Sequence, residues 1–225
     1  YEEFLKTFST PETLAKASDK KLLKVWAGLG YWRRAKYLKD IAKKNHMINR
    51  MILPKDPKVL ETLPGIGPYT ARALACFAFN NKEAFIDTNI RRVYLHFFFP
   101  KRKNILDKEI LPIAQKTIDT LPKDISPREW HYALFDYGAL VLKDKSINKR
   151  SNMYSKQSIF TGSFRSYRTK VVRFLLAHPK ARATHQQIES LLKKELKESN
   201  YTQQEIINTL LKDNLIKKSK THYSI

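Results

Sequence analysis

The chain has 225 residues and carries 43 lysine and arginine residues against 21 aspartate and glutamate residues, a formal net charge of +22. This length allows one large domain or two modest ones, and such an excess of positive charge predicts a polyanionic partner. A membrane partner is not expected, because the sequence has no lipidation signal and no long apolar run. Cys76 is the only cysteine, so an internal disulfide is excluded and a cytoplasmic setting fits.

Helix start signals recur along the first part of the chain. Thr10–Pro11 places a cap residue before a proline, which favours the first turn of a helix, and Asp56–Pro57 and Ser126–Pro127 repeat this pattern. Asp19 precedes apolar residues at helical spacing and is interpreted as another helix start. No convincing period-two run occurs before residue 210, so the sequence predicts an all-α domain.

The stretch from Leu63 to Thr70 has two glycines around one apolar residue, followed by a proline and an alanine-rich helical run. Gly65 and Gly67 allow a tight turn that exposes consecutive backbone N–H groups just before a helix N-terminus. Such N–H groups favour an anion, and a nucleic-acid phosphate is the obvious candidate. A helical corner without any ligand uses glycine and proline in the same way, so the spacing alone leaves both interpretations open.

Asp87 precedes a predicted helix whose apolar stripe includes Ile90 and Val93. Aspartate at this position is an ordinary helix N-cap, and Asn89 is compatible with a surface residue in the first turn. The periodicity alone therefore favours a capping role for Asp87 over a chemical one.

The apolar periodicity stops between Lys143 and Phe160, where the composition becomes basic and polar, and this predicts an exposed connector. Three further helical patterns follow, and the last begins with a capping-box signature at Thr202. The tail from Leu215 to Ile225 is compatible with a small hairpin. Three short helices followed by a hairpin predict a small winged-helix-like module.

Taken together and in this order, the motifs resemble those of a known enzyme superfamily. The resemblance to the helix-hairpin-helix DNA glycosylases rests on LPGIGPYTA at residues 63–71 and FIDTNIRRV at residues 85–93. It is narrowed to the adenine DNA glycosylase (MutY) family by WAGLGYWRRA at residues 26–35 and FDYGAL at residues 135–140. The implied organisation is a glycosylase domain over residues 1–142 with an incomplete N-terminus, a basic connector over residues 143–162 and a helical module over residues 163–225.

The resemblance implies a monofunctional enzyme of base excision repair. It would hydrolyse the N-glycosidic bond of a mismatched base in double-stranded DNA, with adenine opposite guanine or 8-oxoguanine as the expected substrate. Asp87 would stabilise the cationic sugar left by the departing base or position the attacking water, and Asn89 would hydrogen-bond Asp87. Tyr69 stands where the glycosylase/lyases of the superfamily place a lysine nucleophile. Because a phenol cannot form a Schiff base, strand cleavage is not expected.

The resemblance also assigns residues to DNA binding. Tyr31 matches the residue that the family inserts into the base stack, which offsets part of the cost of extruding a base. Packing in an aromatic core is the alternative for Tyr31 and Trp32. The expected DNA contacts are Leu63, Gly65, Ile66, Gly67, Tyr69, Thr70 and Tyr31, with phosphate contacts from Arg33, Arg34, Lys36, Arg91 and Arg92.

Most members of the family carry four cysteines that hold an iron–sulfur cluster just after the segment matching Gly138–Leu140. Here the chain continues Val141-Leu142-Lys143 without a cysteine. Because the cluster requires thiolates, we expect a protein without an iron–sulfur cluster and without another metal cofactor.

Two further features of the family have no match. Family members have a glutamate that protonates the adenine as a general acid, upstream of the position of Tyr1. The sequence has no matching segment, so we expect either a fragment or a protein without full activity. The family also has a C-terminal domain that reads oxidised guanine. Residues 165–225 are too short and too helical for that domain, which leaves the opposing base open.

Three alternative functions stay open on the sequence. Related glycosylases that remove thymine or uracil opposite guanine share Tyr69, Asp87 and Asn89. A non-catalytic DNA-binding protein would use the glycine turn at residues 63–70 but would need neither Asp87 nor Asn89. A winged-helix transcription regulator would act through residues 165–225. We expect a monomer in the cytoplasm, associated with the nucleoid if the source is bacterial.

Overall fold

The computed structural model describes residues 1–47, 53–197 and 199–225, which are mostly helical. None of the helices in these ranges has the length and apolar character needed to cross a membrane. The elements are α1 (Glu2–Thr7), α2 (Pro11–Lys16), α3 (Asp19–Val25), α4 (Trp32–Met47), α5 (Pro57–Leu60), α6 (Pro68–Phe79), α7 (Thr88–Phe98), α8 (Asp107–Asp119), α9 (Pro127–Asp136), a π-helical turn (Tyr137–Val141), a 3-10 helix (Lys145–Arg150), α10 (Phe164–Ala177), a short 3-10 turn (Pro179–Ala181), β1 (Arg182–Thr184), α11 (His185–Glu195), α12 (Gln203–Lys212), β2 (Lys217–Lys218) and β3 (His222–Ser224).

The chain divides into two compact units. Unit 1 contains residues 1–52 and 157–225, and unit 2 contains residues 53–156. Unit 1 therefore combines α1–α4 with α10–α12 and the strands, whereas α5–α9 belong to unit 2. These units do not coincide with the boundaries expected from the sequence at residues 142 and 162.

The core of unit 1 explains why both ends of the described chain belong together. Leu22 and Leu23 of α3 are fully buried and share one apolar core with Val171 of α10. Trp32 is buried at the start of α4, and its indole N–H donates to the Thr169 hydroxyl of α10 at 3.2 Å. Contacts so distant in sequence leave no local pattern, which is why the sequence motifs indicated a different division.

Local start signals place most helices where the sequence predicts them. Thr10 and Ser126 form capping boxes at α2 and α9, and Asp56 caps α5. The start of α3 differs by one position, because Ser18 is the N-cap and Asp19 lies in the first helical turn.

The C-terminal part of unit 1 contains a small antiparallel sheet with strand order β1–β3–β2. Ala183 of β1 lies opposite Tyr223 of β3, and Lys218 of β2 lies on the other side of Tyr223. Together with α10, α11 and α12, this sheet gives a winged-helix-like arrangement, with the predicted hairpin formed by β2 and β3. Strand β1 was not predicted, because three residues with one buried side chain are too short to show a period.

The segment predicted as an exposed connector is packed over its first part. Ile147 and Ser151 are both 5% exposed, and the 3-10 helix that contains Ile147 lies against α7. The Ile105 N–H donates to the Arg150 carbonyl at 3.0 Å. The prediction is therefore wrong for residues 145–151, since one apolar side chain anchors a turn that has no periodicity. Residues 152–160 are exposed.

Candidate active site

The glycine hairpin in unit 2 joins α5 to α6. Gly65 has a φ of 72°, in the left-handed region, while Gly67 is the N-cap of α6 with an ordinary φ of −98°. The Ile66 N–H closes the turn by donating to the Leu63 carbonyl at 3.2 Å. Pro68 then occupies the first position of α6, where a missing N–H costs nothing.

This geometry leaves backbone donors at the protein surface. The Ala71 N–H donates to the Gly67 carbonyl at 2.9 Å, and the N–H groups of residues 67, 69 and 70 precede this hydrogen bond at the start of the helix. Gly65 and Gly67 are exposed, while the Leu63 side chain is buried. The hairpin can therefore hold an anion through its backbone, and Leu63 anchors it to the core.

Tyr69 connects the hairpin to the segment before Asp87. Its ring is 46% exposed and packs edge-to-face on Phe85, with ring centroids 5.8 Å apart. Phe85 is buried and stacks on His131 at 4.1 Å with an interplanar angle of 6°. Phe85 lies two residues before Asp87. The contact between Tyr69 and Phe85 therefore packs the glycine hairpin directly against the segment that contains Asp87.

Asp87 is the N-cap of α7, as the periodicity predicted. Its Oδ1 accepts a hydrogen bond from the Ile90 backbone N–H at 2.6 Å, and the residue is half-buried. Within the described residues, Oδ2 accepts no hydrogen bond, so one carboxylate oxygen stays available for a reacting group. As the N-cap, this carboxylate lies at the positive end of the α7 dipole. A capping role and a chemical role are thus compatible, since they use different oxygens.

Asn89 does not form the expected hydrogen bond to Asp87 among the described contacts. Its backbone instead lies against Gly138 in the π-helical turn. A Cβ atom built on Gly138 would lie 2.4 Å from the Asn89 carbonyl oxygen. Glycine is therefore required for the π-helical turn to reach the first turn of α7, which the sequence motif around Gly138 did not reveal.

Two arginines of α7 predicted to contact phosphates have partners within the protein. Arg92 is 4% exposed and donates to the Gly138 carbonyl and, at 3.3 Å, to the Asn148 side chain. The predicted phosphate contact of Arg92 is therefore wrong. Arg91 donates twice to Asp107, at 2.7 Å each, and its side chain is only 14% exposed. A phosphate contact from Arg91 would require this ion pair to open.

In unit 1, Tyr31 lies at the start of α4 after a glycine-rich turn. Tyr31 has a φ of 47°, and Gly28 and Gly30 also have positive φ angles. The Tyr31 ring is 61% exposed, and its hydroxyl accepts a hydrogen bond from the Gln157 side chain at 3.1 Å. Core packing is therefore correct for Trp32 but not for Tyr31, whose ring is available to a ligand.

The basic residues that follow Tyr31 differ in whether they form ion pairs within the protein. Arg34 is exposed and has no ion-pair partner in the described part of the chain. Arg33 is half-exposed and lies 3.3 Å from Asp213. Lys36 is paired with Asp19 at 2.6 Å. Burial raises the pKa of Asp19, but hydrogen bonds from Lys36 and from Lys39 outweigh it and lower the pKa to about 2. Lys36 is thus held in an ion pair within the protein, and a phosphate contact would require this pair to open.

The residues present do not fit an iron–sulfur cluster. Cys76 is fully buried on α6, 3.4 Å from His131 Nδ1, and burial raises the pKa of its thiol to about 11. A single buried thiol cannot supply four thiolates. Within the described residues, no group of three or more His, Cys, Asp or Glu side chains could hold a metal ion.

Residues 1–118 match the family model of the HhH-GPD superfamily base excision DNA repair proteins. The chain belongs to this superfamily. The predicted superfamily and the predicted helix-hairpin-helix fold are thereby confirmed. The HhH-GPD match includes the turn before Tyr31, the glycine hairpin and the Asp87 segment.

Individual relatives of this HhH-GPD chain are DNA glycosylases. It is 43% identical over 91 residues to the adenine DNA glycosylase of Mycobacterium tuberculosis, covering 40% of this chain and 30% of that protein. It is 33% identical over 141 residues to the adenine DNA glycosylase of Buchnera aphidicola, covering 63% of this chain and 39% of that protein. A thermostable thymine-DNA glycosylase structure aligns with a TM-score of 0.52 at 26% identity, covering 62% of this chain and 64% of that one. The chain thus spans well under half the length of the two adenine glycosylases.

Proposed function

We propose that this protein is a monofunctional DNA glycosylase that removes mismatched adenine, opposite guanine or 8-oxoguanine, from double-stranded DNA. The observation that carries the proposal is Asp87, which caps α7 with one carboxylate oxygen and leaves the other oxygen available. A purely structural cap would need no particular neighbours. Here the carboxylate follows the aromatic stack that also supports the glycine hairpin, in the order that adenine DNA glycosylases share.

The proposed reaction follows from the charges at the site. The hairpin N–H groups hold a DNA phosphate, and the bond between the sugar C1′ and the adenine nitrogen breaks with its electron pair going to the base. The sugar becomes cationic, and the Asp87 carboxylate stabilises it electrostatically. Water then attacks C1′ and leaves a hydroxyl group on the sugar, and the proton that the water loses balances the negative charge on the departing base.

Tyr69 supports hydrolysis without strand cleavage. A lyase step needs an amine that forms a Schiff base with the opened sugar, and a phenol cannot do so. The Tyr69 ring instead packs edge-to-face on Phe85 and stays 46% exposed. We therefore expect an abasic site as the product.

Tyr31 is the proposed wedge. Extruding a base costs a few kcal/mol, and an inserted side chain replaces part of the lost stacking. The exposed Tyr31 ring, held at the start of a long helix, suits this role. Leu63, Gly65, Ile66, Gly67, Tyr69, Thr70, Arg33, Arg34 and Arg91 remain proposed DNA contacts, with Arg34 the least engaged of the arginines.

Asp87→Asn tests the proposed catalytic role. Asparagine caps helices about as well as aspartate, so the fold should persist while the negative charge is lost. We expect single-turnover excision of adenine from A·G and A·8-oxoguanine duplexes to fall by on the order of 10²-fold or more. DNA affinity, measured by gel shift, should change little.

Asp87→Ala separates capping from chemistry. It removes the charge and also the cap, so unfolding free energy should drop by about 1 kcal/mol, unlike in Asp87→Asn. Excision and unfolding are measured on both variants beside the unsubstituted chain. Unchanged excision by Asp87→Asn would refute the assignment.

A thymine or uracil glycosylase is the second candidate, favoured by the structural similarity to a thymine-DNA glycosylase. A panel of duplexes with adenine, thymine or uracil opposite guanine separates the two enzymes. Binding to mismatched DNA without release of any base would instead support a non-catalytic DNA-binding protein.

We further propose that the protein acts without an iron–sulfur cluster, as a monomer, in the cytoplasm, and at the nucleoid if the cell is bacterial. The single buried thiol supports the first statement. The high positive charge supports association with chromosomal DNA and opposes self-association. Light scattering of the purified protein tests the monomer.

A further inference from the structure

Helix α12 in unit 1 has a buried apolar face and an exposed polar face. Ile206, Ile207 and Leu210 are buried in the core. On the exposed side lie Gln204, Asn208 and Lys212, spaced four residues apart so that they share one helical face. The Gln204 amide donates to Asn208 at 2.6 Å, which orders both amides on this face.

The β2–β3 hairpin carries three exposed lysines. Lys217 and Lys218 are exposed on β2, which is an edge strand of the sheet. Lys220 is exposed in the tight turn between β2 and β3, where the Ser219 N–H donates to the His222 carbonyl at 2.8 Å. We call the exposed face of α12 together with these three lysines the wing surface.

The positive charge of the wing surface is not neutralised within the protein. Its lysines form no ion pair in the described ranges, whereas Arg168 and Lys170 of α10 are paired with Asp213 and Glu195. Glu205, the one acidic residue of α12, caps the helix by accepting hydrogen bonds from Thr202. Residues 163–225 contain thirteen lysine and arginine residues against five acidic ones.

We propose that the wing surface is a second DNA-binding site, formed by residues other than the glycine hairpin and Asp87. An α-helix fits the major groove, where asparagine and glutamine amides hydrogen-bond base edges. The second of two consecutive helices enters the groove in helix-turn-helix proteins, and α12 has that place after α11. The three hairpin lysines then neutralise phosphates beside the groove.

Protection of an exposed strand edge is the competing explanation for lysines on β2. It accounts for Lys217 and Lys218, which lie on the edge strand itself. It does not account for Lys220 in the turn, nor for the amide face of α12. Binding of a DNA duplex accounts for all of them together, because the lysines would neutralise phosphates and the amides would hydrogen-bond base edges.

The test replaces Lys217, Lys218 and Lys220 by glutamine in the full chain. Affinity for an undamaged duplex is measured from low to moderate salt by fluorescence anisotropy. Each lost phosphate contact lowers the slope of log affinity against log salt by about 0.9 for B-DNA, so we expect a decrease of about 2 to 3. The matched control Lys6→Gln/Lys16→Gln/Lys24→Gln removes the same charge from exposed positions on α1–α3 and should leave most of the slope intact.

A charge-neutral variant tests the helix face. Gln204→Ala/Asn208→Ala preserves the helix, since alanine is the best helix former. We expect it to weaken binding at every salt concentration without changing the slope. A slope that is unchanged in the triple lysine variant, or reduced equally in the control, would overturn the proposal, as would binding of an acidic protein partner in place of DNA.

This inference does not depend on base excision. The same binding measurements are made in an Asp87→Asn background, where the wing surface should contribute as before. If the glycosylase proposal failed, the DNA-binding measurements on the wing surface could therefore still be interpreted.

Discussion

Gly65 and Gly67 belong to the same hairpin but need glycine for different reasons. Gly65 has a left-handed φ of 72°, which strains any residue with a Cβ. Gly67 has an ordinary φ of −98°, and a Cβ built there meets nothing within 4 Å. The protein alone therefore does not require glycine at 67, whereas close approach of a phosphate would.

These two glycines allow fold and binding to be separated. We expect Gly67→Ala to keep the wild-type unfolding free energy but to bind DNA roughly 10- to 100-fold more weakly, the loss of about one charge-assisted hydrogen bond. Gly65→Ala should instead destabilise the protein by about 1 kcal/mol. Urea unfolding and gel shifts on both variants measure the two effects. Wild-type affinity in Gly67→Ala would show that no ligand approaches this backbone.

At the scale of elements, the π-helical turn packs directly against the backbone of α7, where Gly138 contacts Asn89. The Arg92 guanidinium, buried on α7, donates to the Gly138 carbonyl and to Asn148, and so joins α7 to the turn and to the 3-10 helix. The resemblance to the adenine DNA glycosylases implies that most of them carry their cluster cysteines just after this turn. Here the same elements are held by a buried cation, a carbonyl and an amide.

Gly138→Ala should displace the first turn of α7. The added Cβ would lie 2.4 Å from the Asn89 carbonyl oxygen, which is backbone and cannot rotate away. We expect a loss of about 1 to 3 kcal/mol in unfolding free energy and slower excision, because Asp87 caps the displaced turn. The exposed neighbour Ala139→Ser is the control and should change stability by less than about 0.5 kcal/mol. Wild-type stability in Gly138→Ala would contradict the close contact.

The sequence predicted the elements whose signals are local. Thr10, Asp56 and Ser126 each cap their own helix, and the alternation of capped helices leads directly to the all-α assignment. The capping role of Asp87 is equally local. Contacts between distant segments were missed, such as Arg92 with Gly138 and the core shared by α3 and α10.

The same distinction applies to the candidate site. The hairpin and Asp87 were predicted because each is a short pattern of residue types. The burial of Arg92 and the ion pair of Arg91 with Asp107 could not be predicted from such a pattern. The sequence around a basic residue at a helix start is the same whether its side chain is solvated or paired. One signal was available: the acid-rich start of α8 offered partners for a basic α7.

For the whole molecule, the absence of cluster thiolates has a direct test. We expect protein purified under anaerobic conditions to contain no iron and no acid-labile sulfide, and its unfolding midpoint to be unchanged by an iron chelator. The reason is that a cluster needs four thiolates, whereas this sequence has Cys76 alone, with its thiol buried. Stoichiometric iron, or loss of stability on chelation, would contradict this.

The division of the chain into units has a consequence for its synthesis. Unit 2 is one continuous segment, but unit 1 needs residues 157–225 to complete the core around Leu22 and Leu23. At roughly 5 to 20 residues per second, the ribosome needs several seconds to add those residues after unit 2 has emerged. During that time the N-terminal helices expose apolar side chains that have no partner. Helices α1–α4 are thus the part of unit 1 that depends most on chaperones, although they are made before unit 2.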